Sequence, residues 1–287
     1  MEKDILALLA GEMNGYSKGQ KRIARYILEN YDKAAFMTAS RLGKTVGVSE
    51  STVVRFASEL GYDGYPAMRR AVEEMIRSRL TSVQRIQNAR ETLTQDNVLE
   101  NVMMADIANL QTTLERCDRA QFDRAVDTIL AAKHIYIVGM RSSFSLANFL
   151  GYYLNLLQEN VHIVQDTSAC ELYEQLLRIR EGDVFIGISF PRYSRRTAQA
   201  MQYAKSAGAR CIGITDGPAS PFAGLADTLI CARSEMESFL DSLVAPMSLI
   251  NALIVCVSVK SRENVADIFQ RLEAVWADHD VYERAER

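Results

Sequence analysis

The chain has 287 residues, enough for two domains, because single hydrophobic cores stop growing beyond about 200 residues. Hydrophobic residues make up 48% and charged residues 24%, which excludes a disordered or fibrous chain and indicates a soluble globular one. The net charge of −3 hides an asymmetry: residues 1–80 carry 13 Lys and Arg against 10 Asp and Glu, and the remainder carries 20 against 26. A basic head on an acidic body suggests that only the head meets a polyanion.

Cys117, Cys170, Cys211, Cys231 and Cys256 are scattered and never spaced as CxxC, so they read as reduced core residues of a cytoplasmic protein. The histidines, His134, His162 and His279, form no HxxxH or HExxH. Neither a metal nor a cofactor is therefore expected. No signal-peptide pattern opens the chain. The most apolar stretch, Leu243 to Val259, contains Pro246 and Asn251 and falls short of a membrane span. It is expected to be a helix, either buried in its own domain or lying at a subunit interface.

Residues 1–77 read as helical throughout. Ser17 can cap a helix running to about Asn30, with Ile23, Tyr26, Ile27 and Tyr31 at helical spacing. Lys18, Lys21, Arg22 and Arg25 on that helix fit either a solvated face or phosphate contact. The sharpest local pattern is ASRLGKTVGVSESTVVRFAS, residues 39–58, which has the spacing of two short helices joined by a tight turn. Leu42 and Val46 face inward on the first, and the small Gly43 permits close approach. Gly47 supplies the positive φ of the turn, followed by inward Val48. Val53, Phe56 and Leu60 form the buried stripe of the second helix, Ser49 caps it, and Gly61 follows its end. The opposite face carries Ser51, Thr52, Arg55 and Ser58, hydrogen-bonding side chains where a recognition helix enters the major groove. Double-stranded DNA is thus the expected partner, contacted by Ser49, Ser51, Thr52 and Arg55 at the recognition helix and by Thr38, Ser40, Lys44 and Thr45 on phosphates.

Pro66 is expected at the first position of the next helix. Residues 68–114 are polar, helical and poor in glycine, which predicts a helical linker holding the head away from the body. From residue 134 the pattern changes. Five β-branched runs, 134–138, 161–164, 184–188, 210–214 and 228–232, alternate with helices at about 142–158, 169–180 and 194–208, and the last run is followed by helices at about 238–259 and 262–277. Such alternation, with strands lacking polar positions, predicts a five-stranded parallel sheet covered by helices on both faces. The expected domains are a helix-turn-helix at 1–80, a helical linker at 81–120 and an α/β effector domain at 121–280.

Ligands of such sheets sit at the carboxyl ends of strands, against helix N-termini that favour anions. Two strand ends carry hydroxyls and arginines there. One is GMRSSFS, with Arg141, Ser142, Ser143 and Ser145; the other is SFPRYSRRT, with Ser189, Arg192, Ser194, Arg195, Arg196 and Thr197. They can cradle a phosphate or carboxylate, although serines opening helices also serve as caps. Glu235, after the last strand, can reach the same pocket.

These two loops, followed by ITDGPASPFAGLAD (214–227), resemble the sugar isomerase (SIS) domain, and VGVSESTVVRFASELGYDGY resembles the helix-turn-helix of the RpiR/MurR family of transcription regulators. The resemblance spans roughly residues 5–275. It implies a flavodoxin-like sheet, a dimer or tetramer, and a phosphosugar or related acidic metabolite that modulates binding to operator DNA. The family's phosphate contacts carry over onto Ser142, Ser143, Ser189 and Ser194. The chain departs from the family in both loops. Arg141 replaces the second glycine of Gly-x-Gly-Ser-Ser. In the Ser-x-Ser-Gly-x-Thr loop, Pro191 stands at the second serine, Arg192 at the glycine and Ser194 at the threonine. Two other functions fit an SIS domain. A phosphosugar isomerase or lyase needs a carboxylate base, for which Glu235 and Glu237 are available, and a proton-handling histidine, which is not well placed. A domain serving only for dimerisation needs no pocket.

Overall fold

The computed structural model describes residues 5–11, 13, 15–35, 37–79, 83, 86, 96–165, 168–235, 240–261 and 265–282, in two compact units, Met1–Glu91 and Thr92–Arg287.

The first unit is all helical: α1 (Ile5–Gly11), α2 (Lys18–Glu29), α3 (Tyr31–Ala34), α4 (Ala39–Val46), α5 (Glu50–Glu59) and α6 (Gly64–Arg79). Ser17 opens α2 with a capping box, its backbone N–H donating to the Gln20 side chain at 2.8 Å. Ile23, Leu42, Val53, Phe56 and Met68, one or two from each of four helices, are almost fully buried together. Pro66 is the third residue of α6, one of the first-turn positions whose N–H has no helical partner anyway. The Tyr65 hydroxyl donates to the Met37 carbonyl at 2.9 Å.

The second unit holds α7 (Val98–Arg116), α8 (Arg119–Leu130), β1 (Ile135–Gly139), α9 (Ser143–Leu157), β2 (Val161–Val164), α10 (Ala169–Leu176), β3 (Val184–Ile188), α11 (Arg195–Ser206), β4 (Arg210–Thr215), β5 (Thr228–Cys231), α12 (Val244–Lys260) and α13 (Val265–Asp278). All strand pairings are parallel, in the order β2-β1-β3-β4-β5. Ile137, Ile186 and Ile212 pack on one face with Leu150 of α9 and Leu253 of α12. On the other face Tyr136, Val138 and Phe185 pack with Leu172 of α10 and Met201 of α11. Both faces are covered, which is why these strands lack polar alternation.

Besides the place of Pro66, third and not first in its helix, two expectations change. Residues 98–116, read from sequence as linker, form a helix packed on α12 within the second unit. Its buried Asn109 holds both backbone groups of Glu235: the Glu235 N–H donates to Oδ1 at 3.1 Å, and Nδ2 donates to the Glu235 carbonyl at 3.2 Å. Thr113 Oγ1 accepts from the Arg233 N–H at 2.8 Å. The sequence hides this docking because the contacts are polar and over 100 residues apart. The apolar helix starts at Val244 instead of 238, because Pro246 in its first turn crowds the carbonyl four residues earlier and blocks extension backwards. Ala245, Leu249, Ile250, Leu253 and Val257 are buried within the unit, so its hydrophobicity is that of a core helix. No single helix among the described residues is long and apolar enough to cross a membrane.

Candidate nucleic-acid interface and effector pocket

In the first unit, α4 and α5 meet through a turn built on backbone hydrogen bonds. Gly47 adopts φ 68°, ψ 45°, a left-handed conformation that glycine takes without steric cost. The following Val48 N–H donates back to the Gly43 carbonyl at 2.9 Å, closing a Schellman-type end. A Cβ on Gly43 would lie 2.9 Å from the Val48 carbonyl oxygen, so the small residue is what lets the helices touch. Thr38 caps α4, accepting from the Arg41 N–H at 3.2 Å, and Ser49 caps α5, accepting from the Thr52 N–H at 3.2 Å. The Ser49 hydroxyl also lies 2.9 Å from that of Ser51 and 2.8 Å from that of Thr52.

Of the sequence-predicted DNA contacts, Thr38, Lys44, Thr45, Ser49, Ser51 and Arg55 are exposed, while Ser40 and Thr52 are half-buried. Thr45 Oγ1 donates to the Arg41 carbonyl at 2.9 Å, and Arg55 Nε donates to the Ser51 carbonyl at 3.3 Å. Arg55 thus lies along the outward face of α5 with Ser51 and Ser58. Val54 shares that face and is 38% exposed. Sequence reasoning missed it because apolar periodicity draws attention to the inward stripe; an apolar residue on this face suits contact with a thymine methyl group.

In the second unit, the chain passes from β1 out to β2 and then crosses back to lay β3, β4 and β5 on the other side. Loops leaving β1 and β3 therefore diverge, and the crevice between them is the topological switch point where ligands of such sheets bind. The last paired residues are Gly139 and Ile188, and both suspected loops begin immediately after. A Cβ on Gly139 would come within 2.4 Å of the Ser143 carbonyl oxygen, so only glycine lets α9 start this close to its strand.

The hydroxyls divide into two kinds. Ser189 Oγ accepts from the Ser194 N–H at 3.1 Å, bracing the loop, and Ser194 Oγ accepts from the Thr197 N–H at 3.3 Å, capping α11. Ser142 occupies the cap position of α9 without a side-chain cap bond. Ser143 is buried, and its hydroxyl makes no hydrogen bond among the described residues. The Thr197 hydroxyl, in the first turn of α11, is fully buried and unpartnered. A buried hydroxyl such as that of Thr197 normally finds a partner, and Ser143 and Thr197 stand at the starts of the helices that follow β1 and β3. Arg141 and Arg192 adopt φ 57° and φ 64°, left-handed conformations that cost a side-chain-bearing residue about 1–2 kcal/mol relative to glycine. They are the two positions where the SIS pattern has glycine: the backbone has kept the glycine conformation while the side chain has become a guanidinium. Tyr193, next to Arg192, donates to Asp216, the residue after β4, at 2.8 Å.

Glu235, after the last strand, is tied by its carboxylate to Arg233 and by its backbone to Asn109. His134 precedes β1, at the amino edge of the sheet, and stacks on His162. Partial burial, and then the neighbouring His134, push the His162 imidazole below its ordinary range. Among the described residues no cluster of His, Cys, Asp and Glu could hold a metal ion.

One chain thus carries a helix-turn-helix unit and a parallel sheet whose switch-point loops bear hydroxyls and arginines. Comparison with known proteins agrees: residues 3–79 match the helix-turn-helix domain of the rpiR family, and residues 128–256 match the SIS domain. The chain belongs to the RpiR family of helix-turn-helix transcription regulators. It is 26% identical over 215 residues to the HTH-type transcriptional regulator HexR of Pseudomonas aeruginosa, covering 74% of this chain and 73% of that one. The sugar isomerase domain of an RpiR transcription factor from Sphaerobacter thermophilus matches at 29% identity and a TM-score of 0.59, covering 62% of this chain and 99% of that chain. NanR of Vibrio vulnificus, solved with ManNAc-6P, matches in fold at 22% identity and a TM-score of 0.60, covering 96% and 98% of the two chains.

Proposed function

We propose that this regulator binds operator DNA through α5 and that a phosphorylated sugar or related acidic metabolite, held between the β1 and β3 loops, modulates that binding. The observation that carries the effector reading is two helix starts at the switch point: at one the Thr197 hydroxyl is buried and unpartnered, and at the other Ser143 keeps a hydroxyl with no hydrogen bond among the described residues. A phosphate placed there gains free helix N–H groups and hydroxyl donors together. Ser142 and Ser143 would donate directly, while Ser189 and Ser194 hold the loop in shape and keep donor capacity. That NanR was solved with a phosphosugar supports the same ligand class here.

Catalysis fits less well. Glu235 is committed to Arg233, and the His134–His162 pair stands at the edge of the sheet opposite the loops. The reading also requires at least a dimer, since one recognition helix covers too few bases and half-sites lie one turn apart. The outward face of α7, with Leu99, Met103 and Ile107 exposed, suits a second copy better than α12. The protein works where the DNA is, in the cytoplasm.

Isothermal titration of the full chain with phosphosugars tests the pocket: Ser143→Ala should weaken binding about 5- to 30-fold, one lost charge-assisted hydrogen bond. Saturable binding that Ser143→Ala leaves intact would move the ligand elsewhere. Light scattering that reports a monomer at micromolar concentration would contradict the dimer.

A further inference from the structure

The phosphate cradle accounts for the hydroxyls and helix starts but not for the arginines around it. Arg141, Arg192, Arg195 and Arg196 occupy the two loops and are all exposed. Arg141 and Arg195, one on each loop, make no hydrogen bond or ion pair among the described residues. A single phosphate satisfied by hydroxyls and backbone N–H groups leaves Arg141 and Arg195 without a counterpart among the described residues. The Arg141 side chain is moreover kept on a backbone conformation that glycine would adopt without strain, and strain of this kind persists where the side chain has a task.

We propose that the effector carries a carboxylate in addition to its phosphate, a phosphorylated sugar acid, and that Arg141 reads this second group from the β1 loop, with the guanidinia of the β3 loop completing the positive rim. A carboxylate suits a guanidinium because the planar fork can donate two parallel hydrogen bonds to it. This rests on the switch-point pocket argued above, and the probes separate the two ideas.

The full chain is titrated calorimetrically at about 0.1 M ionic strength, where exposed charges are only partly screened. The probes are inorganic phosphate, glucose 6-phosphate, 6-phosphogluconate and fructose 1,6-bisphosphate. The second and third share the phosphate and the carbon count and differ in the terminal carboxylate. The sugar acid should bind at least about tenfold more tightly than the sugar phosphate. Arg141→Gly should reduce that preference below about threefold, without lowering the melting temperature of the free protein, since glycine relieves the left-handed strain. Equal affinities in the wild type, or a preference that survives Arg141→Gly, overturn the proposal while the pocket stands. Tighter binding of the bisphosphate overturns the carboxylate. If no probe saturates, phosphate included, the pocket reading fails and takes the proposal with it.

Discussion

Gly139→Ala probes the geometry that brings α9 onto the end of β1. A methyl group there would lie 2.4 Å from the Ser143 carbonyl oxygen, 2.9 Å from its carbon and 3.0 Å from Ala147 Cβ. The shortest of these is roughly 1 Å inside ordinary contact. Two of the three neighbours are backbone atoms, and β1 is hydrogen-bonded on both sides, to β2 and β3, so neither partner can swing away cheaply. Overpacking of this kind costs about 1–3 kcal/mol, and the rigid surroundings place this site near 3. For a unit of this size each kcal/mol lowers the melting temperature by about 2–4 °C, so calorimetry should show the second unit's transition falling by about 6–12 °C. The strain also tilts the start of α9, and with it Ser142 and Ser143, so phosphosugar binding should weaken by more than the single bond lost in Ser143→Ala. Gly224→Ala is the control: nothing lies within 4 Å of its Cβ, and the change should stay within about 0.5 kcal/mol. A Gly139→Ala protein as stable as the control, with effector affinity intact, would refute the idea that this close approach shapes the pocket.

Arg55→Ala should cost about 1–3 kcal/mol on the specific operator in a mobility-shift titration and much less on random DNA, whereas Lys44→Ala should weaken all sequences alike and flatten the salt slope by about one unit. Asn109→Ala leaves the Glu235 N–H and carbonyl unpaired, and should destabilise the second unit by about 1–3 kcal/mol in urea unfolding. Burial, then the nearby Asp227, pushes the Cys211 thiol up to about 12, and burial, then Asp216, pushes Cys231 up to about 11. Both stay protonated at pH 8, so iodoacetamide should modify exposed Cys170 well before either, as peptide mass mapping would show.

Much of this protein is determined by short-range pattern. Ser17, Ser49, Gly47 and Gly61 act on the residues within a turn of them, so caps, turn and helix-turn-helix are readable along the chain. The five apolar runs become strands because a doubly covered parallel sheet needs no polar positions. What tertiary structure decides are relations between residues distant in sequence. Asn109 and Thr113 look like ordinary residues of a polar helix until Glu235 and Arg233 arrive from over 100 positions away. Hydrophobicity alone leaves α12 equally suited to a core or an interface, and only the surrounding helices resolve it. The serines of the two loops look equivalent in sequence, yet Ser194 is spent on a helix cap and Ser189 on its loop, while Ser143 keeps its hydroxyl unbonded. Sequence places arginines where the family has glycine. Only the backbone shows that Arg141 and Arg192 keep the left-handed turn, because φ is imposed by the strand–helix connection and not by the side chain that occupies it.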